Sequence, residues 1–408
     1  MSKKKVELLA PAGNWEKLDI ALRYGADAVY LSGQAFGLRA AAGNFSREEL
    51  VAAAKLVHEL GKKMYVTVNI FAHNDDLKTL PEYLMQLESY GVDAIIVSDP
   101  GVIWLAKKYA PKLTIHLSTQ ANTTNWASCK FWKSVGINRV VLSRELSFNE
   151  INTIIEQNKE MEFEAFVHGA MCMSYSGRCM LSSFLTGRSA NRGECTHPCR
   201  WKYYLIEEKR PGEYMPVLED ERGTYIFNSK DLCMLEHIPE LVNSGLTSFK
   251  IEGRMKSIHY VATVVKAYRQ AIDAYYANPD QYAFRQQWLE EVKKVSDREY
   301  TTGFYFHRPT AEDHNYEQSK LERTYDFVGL VLNYDPSSQM ALVEQRNKFS
   351  INDVIEVFGP HTDPVSFKVT DMYDETGEPI ESAPHPLQKV TIRTELPLEP
   401  YAMLRRKL

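Results

Sequence analysis

From residue 6 to about residue 276 one pattern repeats. Short runs of β-branched or apolar residues alternate with amphipathic stretches that open on a polar cap and often close on glycine. The runs at 6–10, 28–31, 64–69, 94–98, 113–118, 139–143, 162–168 and 248–252 predict strands. Helices are predicted at 14–24, 46–60, 77–90, 102–109, 125–135, from Ser147 onward, and at 258–277. Gly25, Gly61, Gly91 and Gly136 stand where four of them should stop, and Pro111 ends another. Ser46-Arg-Glu-Glu and Ser147-Phe-Asn-Glu are capping-box signatures. Eight strands alternating with helical stretches over roughly 270 residues fit a closed (β/α)8 barrel of the TIM type. A doubly wound open sheet is the alternative, because periodicity does not report closure.

One connection breaks the rhythm. Residues 169–247 separate strands seven and eight, far more than an ordinary βα loop. They contain strand-like pieces at 202–207, 214–218 and 224–227, with Pro211-Gly212 between the first two, which read as a hairpin insertion over the barrel mouth. The barrel domain is thus 1–277, followed by a charged, helical connector at 278–325. From residue 326 to 408 the pattern turns all-β (VGLVLNY, MALVEQR, DVIEVFG, VSFKVTD, KVTIRTEL, YAMLRRK), predicting a small β-barrel domain.

Composition is that of an ordinary globular chain, 44% hydrophobic and 25% charged over 408 residues. A net charge of −5 argues against a surface coated for nonspecific nucleic-acid binding and leaves room for a local basic patch. Residues 1–5 are basic but lead into an alternating strand rather than the apolar core of a secretion signal. The longest apolar runs, such as 94–97, are far short of a membrane span. The expected location is cytoplasmic, with no membrane partner.

That expectation gives meaning to residues 166–200, FVHGAMCMSYSGRCMLSSFLTGRSANRGECTHPCR, which hold four of the six cysteines: Cys172, Cys179, Cys195 and Cys199. In a reducing compartment clustered thiols point to metal or redox chemistry rather than to disulfides. Structural zinc prefers ligands two to four residues apart, which Cys195 and Cys199 satisfy and Cys172 and Cys179 do not. An iron–sulfur cluster accepts four thiolates at more variable spacing. A thiol redox pair lacks its C-x-x-C. Cys129 lies mid-helix and reads as packing; Cys233, which the pattern places at the opening of a helical run, is a possible fourth ligand.

In such barrels the chemistry sits at the C-terminal strand ends. Polar residues there are Asn69 and His73 after strand three, His116, Gln120 and Asn122 at strand five, Arg144 and Glu145 at strand six, His168 at strand seven, and Lys250, Glu252 and Arg254 at strand eight. Taken singly, a strand histidine is usually a packing residue, and Lys250 and Glu252 could simply pair with each other inside the barrel. Their co-location favours function. No phosphate-loop or dinucleotide fingerprint occurs, nor G-x-S-x-G or H-E-x-x-H, so neither a nucleotide cofactor nor a hydrolase has a motif behind it.

ELLAPAGNWEKLDIALRYGADAVYL, STQANTTNWA, VHGAMCMSYSGRCMLSS, NRGECTHPCRW, RPGEYMPVLEDERGTYIFNSKDL and SFKIEGRMKS together resemble the collagenase-like peptidases, peptidase family thirty-two of unknown catalytic type. The likeness covers essentially the whole chain. Within that family the chain is most similar to the prephenate-dependent tRNA uridine hydroxylases, which install 5-hydroxyuridine at the wobble position; relatives hydroxylate a ribosomal RNA cytidine or take part in ubiquinone hydroxylation without oxygen. The resemblance implies a 4Fe–4S cluster on Cys172, Cys179, Cys195 and Cys199, with Cys233 an alternative where relatives exchange one ligand, and zinc as the competing metal.

On this reading the anticodon loop of a tRNA presents a base to the mouth. His116, Gln120, Arg144, His168, Lys250 and Glu252 are the candidate catalytic residues, and Asn69, Asn122, Arg178 and Arg254 the candidate cofactor ligands. A dianionic hydroxyl donor such as prephenate calls for the cations Arg144, Arg178, Lys250 and Arg254. A paralogous subunit is a further candidate partner. The competing expectations are a metal-dependent peptidase, as the family label says, and a non-catalytic RNA-binding or assembly factor.

Overall fold

A computed structural model describes residues 5–38, 43–171, 179, 181–198, 204–205, 215–216, 230–308 and 324–408. In it the alternation closes on itself. Strands β1 (Glu7–Pro11), β2 (Ala28–Leu31), β3 (Lys63–Val68), β4 (Ala94–Val97), β5 (Thr114–Leu117), β6 (Arg139–Val141) and β7 (Glu162–Gly169) pair in parallel in sequence order. The eighth strand, Ser248–Ile251, pairs in parallel with both β7 and β1, placing Ser248 beside Glu164 and Lys250 beside Leu9. This double pairing is the barrel; the open doubly wound sheet is excluded.

Helices α1 (Trp15–Arg23), α2 (Arg47–Glu59), α3 (Leu80–Ser89), α4 (Pro100–Tyr109), α5 (Trp126–Ser134) and α6 (Phe148–Gln157) follow the first six strands. Asn14, Ser46, Asp99, Asn125 and Ser147 cap five of them, and both expected capping boxes form. The helix expected from residue 77 begins at Leu80 behind a 3-10 turn, because Pro81 lacks an N–H and belongs in a first turn. Beyond β7 come α7 (Leu181–Thr186), α8 (Ile238–Asn243) and α9 (Ile258–Ala277). The outward faces of the strands and the inward faces of the helices form one large apolar core. Leu9, Ala28, Tyr30, Tyr65, Ala94 and Ile96 form a separate small cluster within the lumen.

Of the insertion, a two-residue hairpin rung is described, Tyr204–Leu205 antiparallel to Met215–Pro216; the piece expected at 224–227 lies outside the described residues. Cys233 does not open a helix. It ends a short strand, Asp231–Cys233, that runs antiparallel to the tail of β7 with Cys233 beside His168, and the helical turns start at Leu235. The tail of β7 outruns the eighth strand, and an unpaired sheet edge recruits whatever backbone passes it. The connector is only partly helical. It contains α10 (Gln286–Lys293) and a strand, Tyr300–Thr301, that extends the same sheet beside Asp231–Cys233.

Residues 325–407 carry a seven-stranded antiparallel sheet in the order Val365–Lys368, Val354–Phe358, Met403–Lys407, Tyr325–Asp335, Met340–Gln345, Lys389–Arg393, Met372–Tyr373. The all-β expectation holds, but among the described pairings the two outer strands do not meet, so the sheet is open. It is packed onto the barrel. Phe327, Leu330, Phe358 and Met403 belong to the barrel's apolar core, and His259 of α9 stacks on Phe327 at 5.2 Å. Among the described residues no helix is long and apolar enough to cross a membrane.

Candidate functional site

Alternation on the barrel strands sends every second side chain into the lumen, and on β6, β7 and the eighth strand several of these are ions. Lys250 Nζ donates to Glu164 Oε1 (2.8 Å), and Arg139 Nη1 to Glu164 Oε2 (3.2 Å). Arg139 also reaches Glu7 (2.6 Å) and Glu162 (2.7 Å), and Tyr65 donates its hydroxyl to Glu7 (2.7 Å). Lys250, Glu164 and Arg139 are all buried. Burial works against the charge of Glu7, but Arg139 together with the neighbouring Tyr65 and Ser248 hydroxyls more than reverses it, so this carboxyl stays below its usual range. Arg139 is held firmly protonated by Glu7 and Glu164 against its own burial. The result is a ladder of alternating charge from the floor of the barrel to Lys250.

Above the ladder lies the mouth. Lys250 sits 4.4 Å from the centre of the Tyr30 ring and 5.4 Å from that of Phe166. The Arg144 guanidinium lies 3.8 Å from the centre of the Phe166 ring and reaches Glu252 at 3.5 Å. Arg144, Phe166, Lys250 and Glu252 therefore form one constellation: two cations, a carboxylate and an aromatic face. Such a set can hold an anion against a flat ring. Gly169, where the cysteine loop leaves β7, must be glycine: its φ is +106°, and a Cβ would stand 2.6 Å from Glu252 O.

The two candidate histidines are elsewhere. The register between β7 and the eighth strand slips between Lys250 and Ile251, so Phe166 pairs with Lys250 but His168 pairs with Ile251. This bulge at Val167 turns His168 out of the lumen, where strict alternation would keep it. Its ring lies among Tyr260, Tyr268 and Tyr300, buried, and burial together with Lys256 depresses its pKa to about 3. His116 does face the lumen, 4.7 Å from the Tyr65 ring, but beside Arg139 and toward the barrel floor. Burial, Arg139 and Lys250 keep it neutral.

The other polar candidates hold the rim. Arg254 Nη1 donates to Leu38 O (3.0 Å) and Thr67 Oγ1 (3.2 Å), and Nη2 to Asn44 Oδ1 (2.6 Å), so it clamps the loop after β2. Asn69 Oδ1 accepts from Leu38 N on the same loop. Gln120 is buried in the turn after β5, and its Oε1 meets no partner among the described residues. Asn122 follows it in a left-handed conformation, donating to Gln120 O. Glu145 accepts from Ser143, and His73 is exposed. Arg178 lies outside the described residues.

Among the cysteines, Cys172 and Cys199 lie outside the described residues, while Cys179 and Cys195 are free and half-buried. His197 N donates to Cys195 Sγ (3.4 Å), and Cys179 N donates to Asn191 Oδ1 (3.2 Å). Asn191 O in turn accepts from Phe71 N, and Arg192 pairs with Asp76 (3.0 Å), mooring this loop to the β3–α3 connection. Cys233 is buried beside Tyr268, and burial raises its thiol to about 12. Cys129 is buried in the core, as its position predicts.

A closed (β/α)8 barrel with a charged mouth, a cysteine-bearing insertion at strand seven and a docked β domain defines a class of barrel enzymes. The chain belongs to peptidase family U32: that family's model matches residues 13–315, and the model of its C-terminal domain matches residues 323–405. It is 45% identical, over 99% of its own length and 95% of the relative's, to tRNA hydroxylation protein P1 of Bacillus subtilis (strain 168). It is 40% identical to tRNA hydroxylation protein P of Escherichia coli (strain K12), over 98% and 97% of the two chains. A 23S rRNA 5-hydroxycytidine synthase of the same E. coli strain is 37% identical over 67% of this chain and 40% of its own.

Proposed function

We propose that this protein is an RNA-modifying hydroxylase whose substrate is the wobble uridine of tRNA, converted to 5-hydroxyuridine. The observation that carries this reading is near-full-length identity of 40–45% to two proteins named for tRNA hydroxylation. The mouth is suited to it. A pyrimidine is flat, and Phe166 and Tyr30 present ring faces beside the cations Lys250 and Arg144. A carboxylate-bearing hydroxyl donor such as prephenate would be held by those two cations, with Glu252 limiting the net positive charge. Arg254, already engaged with the β2 loop, would shape the rim.

The thiols fit an iron–sulfur cluster. Cys179 and Cys195 are free and soft, they are anchored on one moored loop, and Cys195 already accepts an N–H. With Cys172 and Cys199 they would complete four thiolates, and Cys233, facing Tyr268, is less suited to the role. A 4Fe–4S cluster would supply redox or Lewis-acid chemistry at the rim. Lys250 and Arg144 would orient the donor, and Phe166 the base. The peptidase reading lacks an activated nucleophile beside a base at the described mouth. Nucleoside analysis of tRNA from a deletion strain tests the proposal: 5-hydroxyuridine should vanish, return with the wild-type gene, and stay absent with Lys250→Ala or Cys179→Ala. Persistence of the nucleoside in the deletion strain would end it.

A further inference from the structure

Between Pro100 and Arg144 the chain has no aspartate or glutamate at all, yet its overall charge is −5. That stretch contains α4 and α5, neighbouring helices on the outer wall of the barrel. Lys107 of α4 reaches to Gly136, in the turn after α5, where a Cβ would collide with its ammonium. The face these helices turn to solvent carries Trp104, Tyr109, Trp126 and Phe131, each 38–59% exposed. Single exposed apolar residues are ordinary, but four large aromatics on two adjoining helices are not.

Each helix repeats one device. The Lys108 ammonium lies 5.0 Å over the Trp104 ring, and the Lys130 ammonium 4.9 Å over the Trp126 ring, each pair one helical turn apart. Lys107, Lys112 and Lys133 are also exposed. The acids of the bordering helices, Glu82 and Glu88 on α3 and Glu150 and Glu156 on α6, frame the strip. Trp126 opens α5 only a few residues after Gln120 and Asn122, so the strip begins at the barrel mouth and runs about 14 Å down the wall, the length of a nine-residue helix.

We propose that the α4–α5 wall is the surface on which the tRNA docks outside the mouth, its phosphates on the lysines and unpaired bases on the indoles. Cations without acids recruit phosphate, and aromatic faces accept any base. A second copy of the chain fits this face poorly, since a two-fold contact would set lysine against lysine. The inference rests on the tRNA reading above and deepens it.

The test is fluorescence anisotropy of the full-length protein with a transcribed tRNA bearing a wobble uridine, repeated from about 50 to about 300 mM salt. Lys108→Ala/Lys130→Ala should lower the slope of log affinity against log salt by about 1.5 to 2. Trp104→Ala/Trp126→Ala should weaken binding about tenfold with the slope unchanged. These residues are exposed, and thermal melts should show both variants folded. Wild-type affinity and slope in the fourfold variant would overturn the proposal. So would wild-type binding in vitro combined with lost 5-hydroxyuridine in cells, which would assign the face to a protein partner. Wild-type protein that binds tRNA through this face but forms no 5-hydroxyuridine in cells would overturn the catalytic reading alone.

Discussion

Lys250 and Glu164 are the residues on which the mouth depends, and they differ in how visible they are. Lys250 and Glu252 alternate at a strand end, which marks them at once. Glu164 sits in EFEAFVHG, and its neighbours give no hint that the carboxylate is buried between two cations. Replacing it with glutamine leaves Lys250 without its counter-ion; a loss of about 3 kcal/mol is expected in chemical denaturation, together with lost 5-hydroxyuridine. Unchanged stability would mean that the ladder is not coupled to the fold. His168 illustrates the opposite error, because a bulge carries no signature in a run of apolar residues. Its pKa in the fold, about 3, lies below the ordinary value of 6.5, so the unfolded chain takes up a proton that the native one refuses. Stability from this group is complete above pH 6.5 and falls as the pH drops from there toward 3. At pH 5 the loss is about 2 kcal/mol. Thermal melts at pH 7.5 and 5 should show it, and His168→Phe should remove that part of the difference.

Regular elements were readable wherever local chemistry sets them. Both capping boxes, the glycine stops and α9 from Ile258 to Ala277 fall where the pattern places them, because caps and apolar stripes are local properties. Ser147→Ala removes the acceptor for Glu150 N and should cost about 1 kcal/mol in equilibrium unfolding. The strand Asp231–Cys233 was not readable, because only partners distant in sequence, the tail of β7 and Tyr300–Thr301, make three residues a strand. The cysteine loop is intermediate: its spacing raises the expectation of a metal, and its mooring through Asn191 and Arg192 appears only in three dimensions. If the loop holds a cluster, Asn191→Ala should lower iron and sulfide per chain after anaerobic purification, since Cys179 N loses its acceptor. Wild-type loading would show that Asn191 plays no part in holding the loop.

At the scale of the whole molecule, barrel and β domain behave as one unit. Arg405, fully buried, contacts Glu291 of α10 (2.5 Å) and Glu356 of the β sheet, and lies 4.6 Å from the centre of the Phe358 ring. Lys294 joins Glu356 from the barrel side at 2.9 Å, and Tyr24 donates to Tyr401 O at 2.9 Å. A charge-bearing joint closed by apolar residues should unfold with the parts it connects, giving a single calorimetric transition. Arg405→Met removes the buried cation between Glu291 and Glu356, leaving Lys294 as their shared partner, and should lower stability by about 3 kcal/mol or split the transition in two. A wild-type melt with two separate transitions would refute the single unit.

The lumen has two unlike halves. Above Glu7, which joins the ladder at the floor, strands β1 to β4 line it with Leu9, Ala28, Tyr30, Tyr65, Ala94 and Ile96, while β6, β7 and the eighth strand line it with Arg139, Glu164 and Lys250. These side chains are buried against one another, so the lumen is a packed core and not a pore. A flat substrate seated at the rim, as proposed, would find phenol on the Tyr30 side and an ammonium on the Lys250 side. Its heteroatom edge would then be turned toward the ionic staves by the wall beneath it, ahead of any movement of the loops.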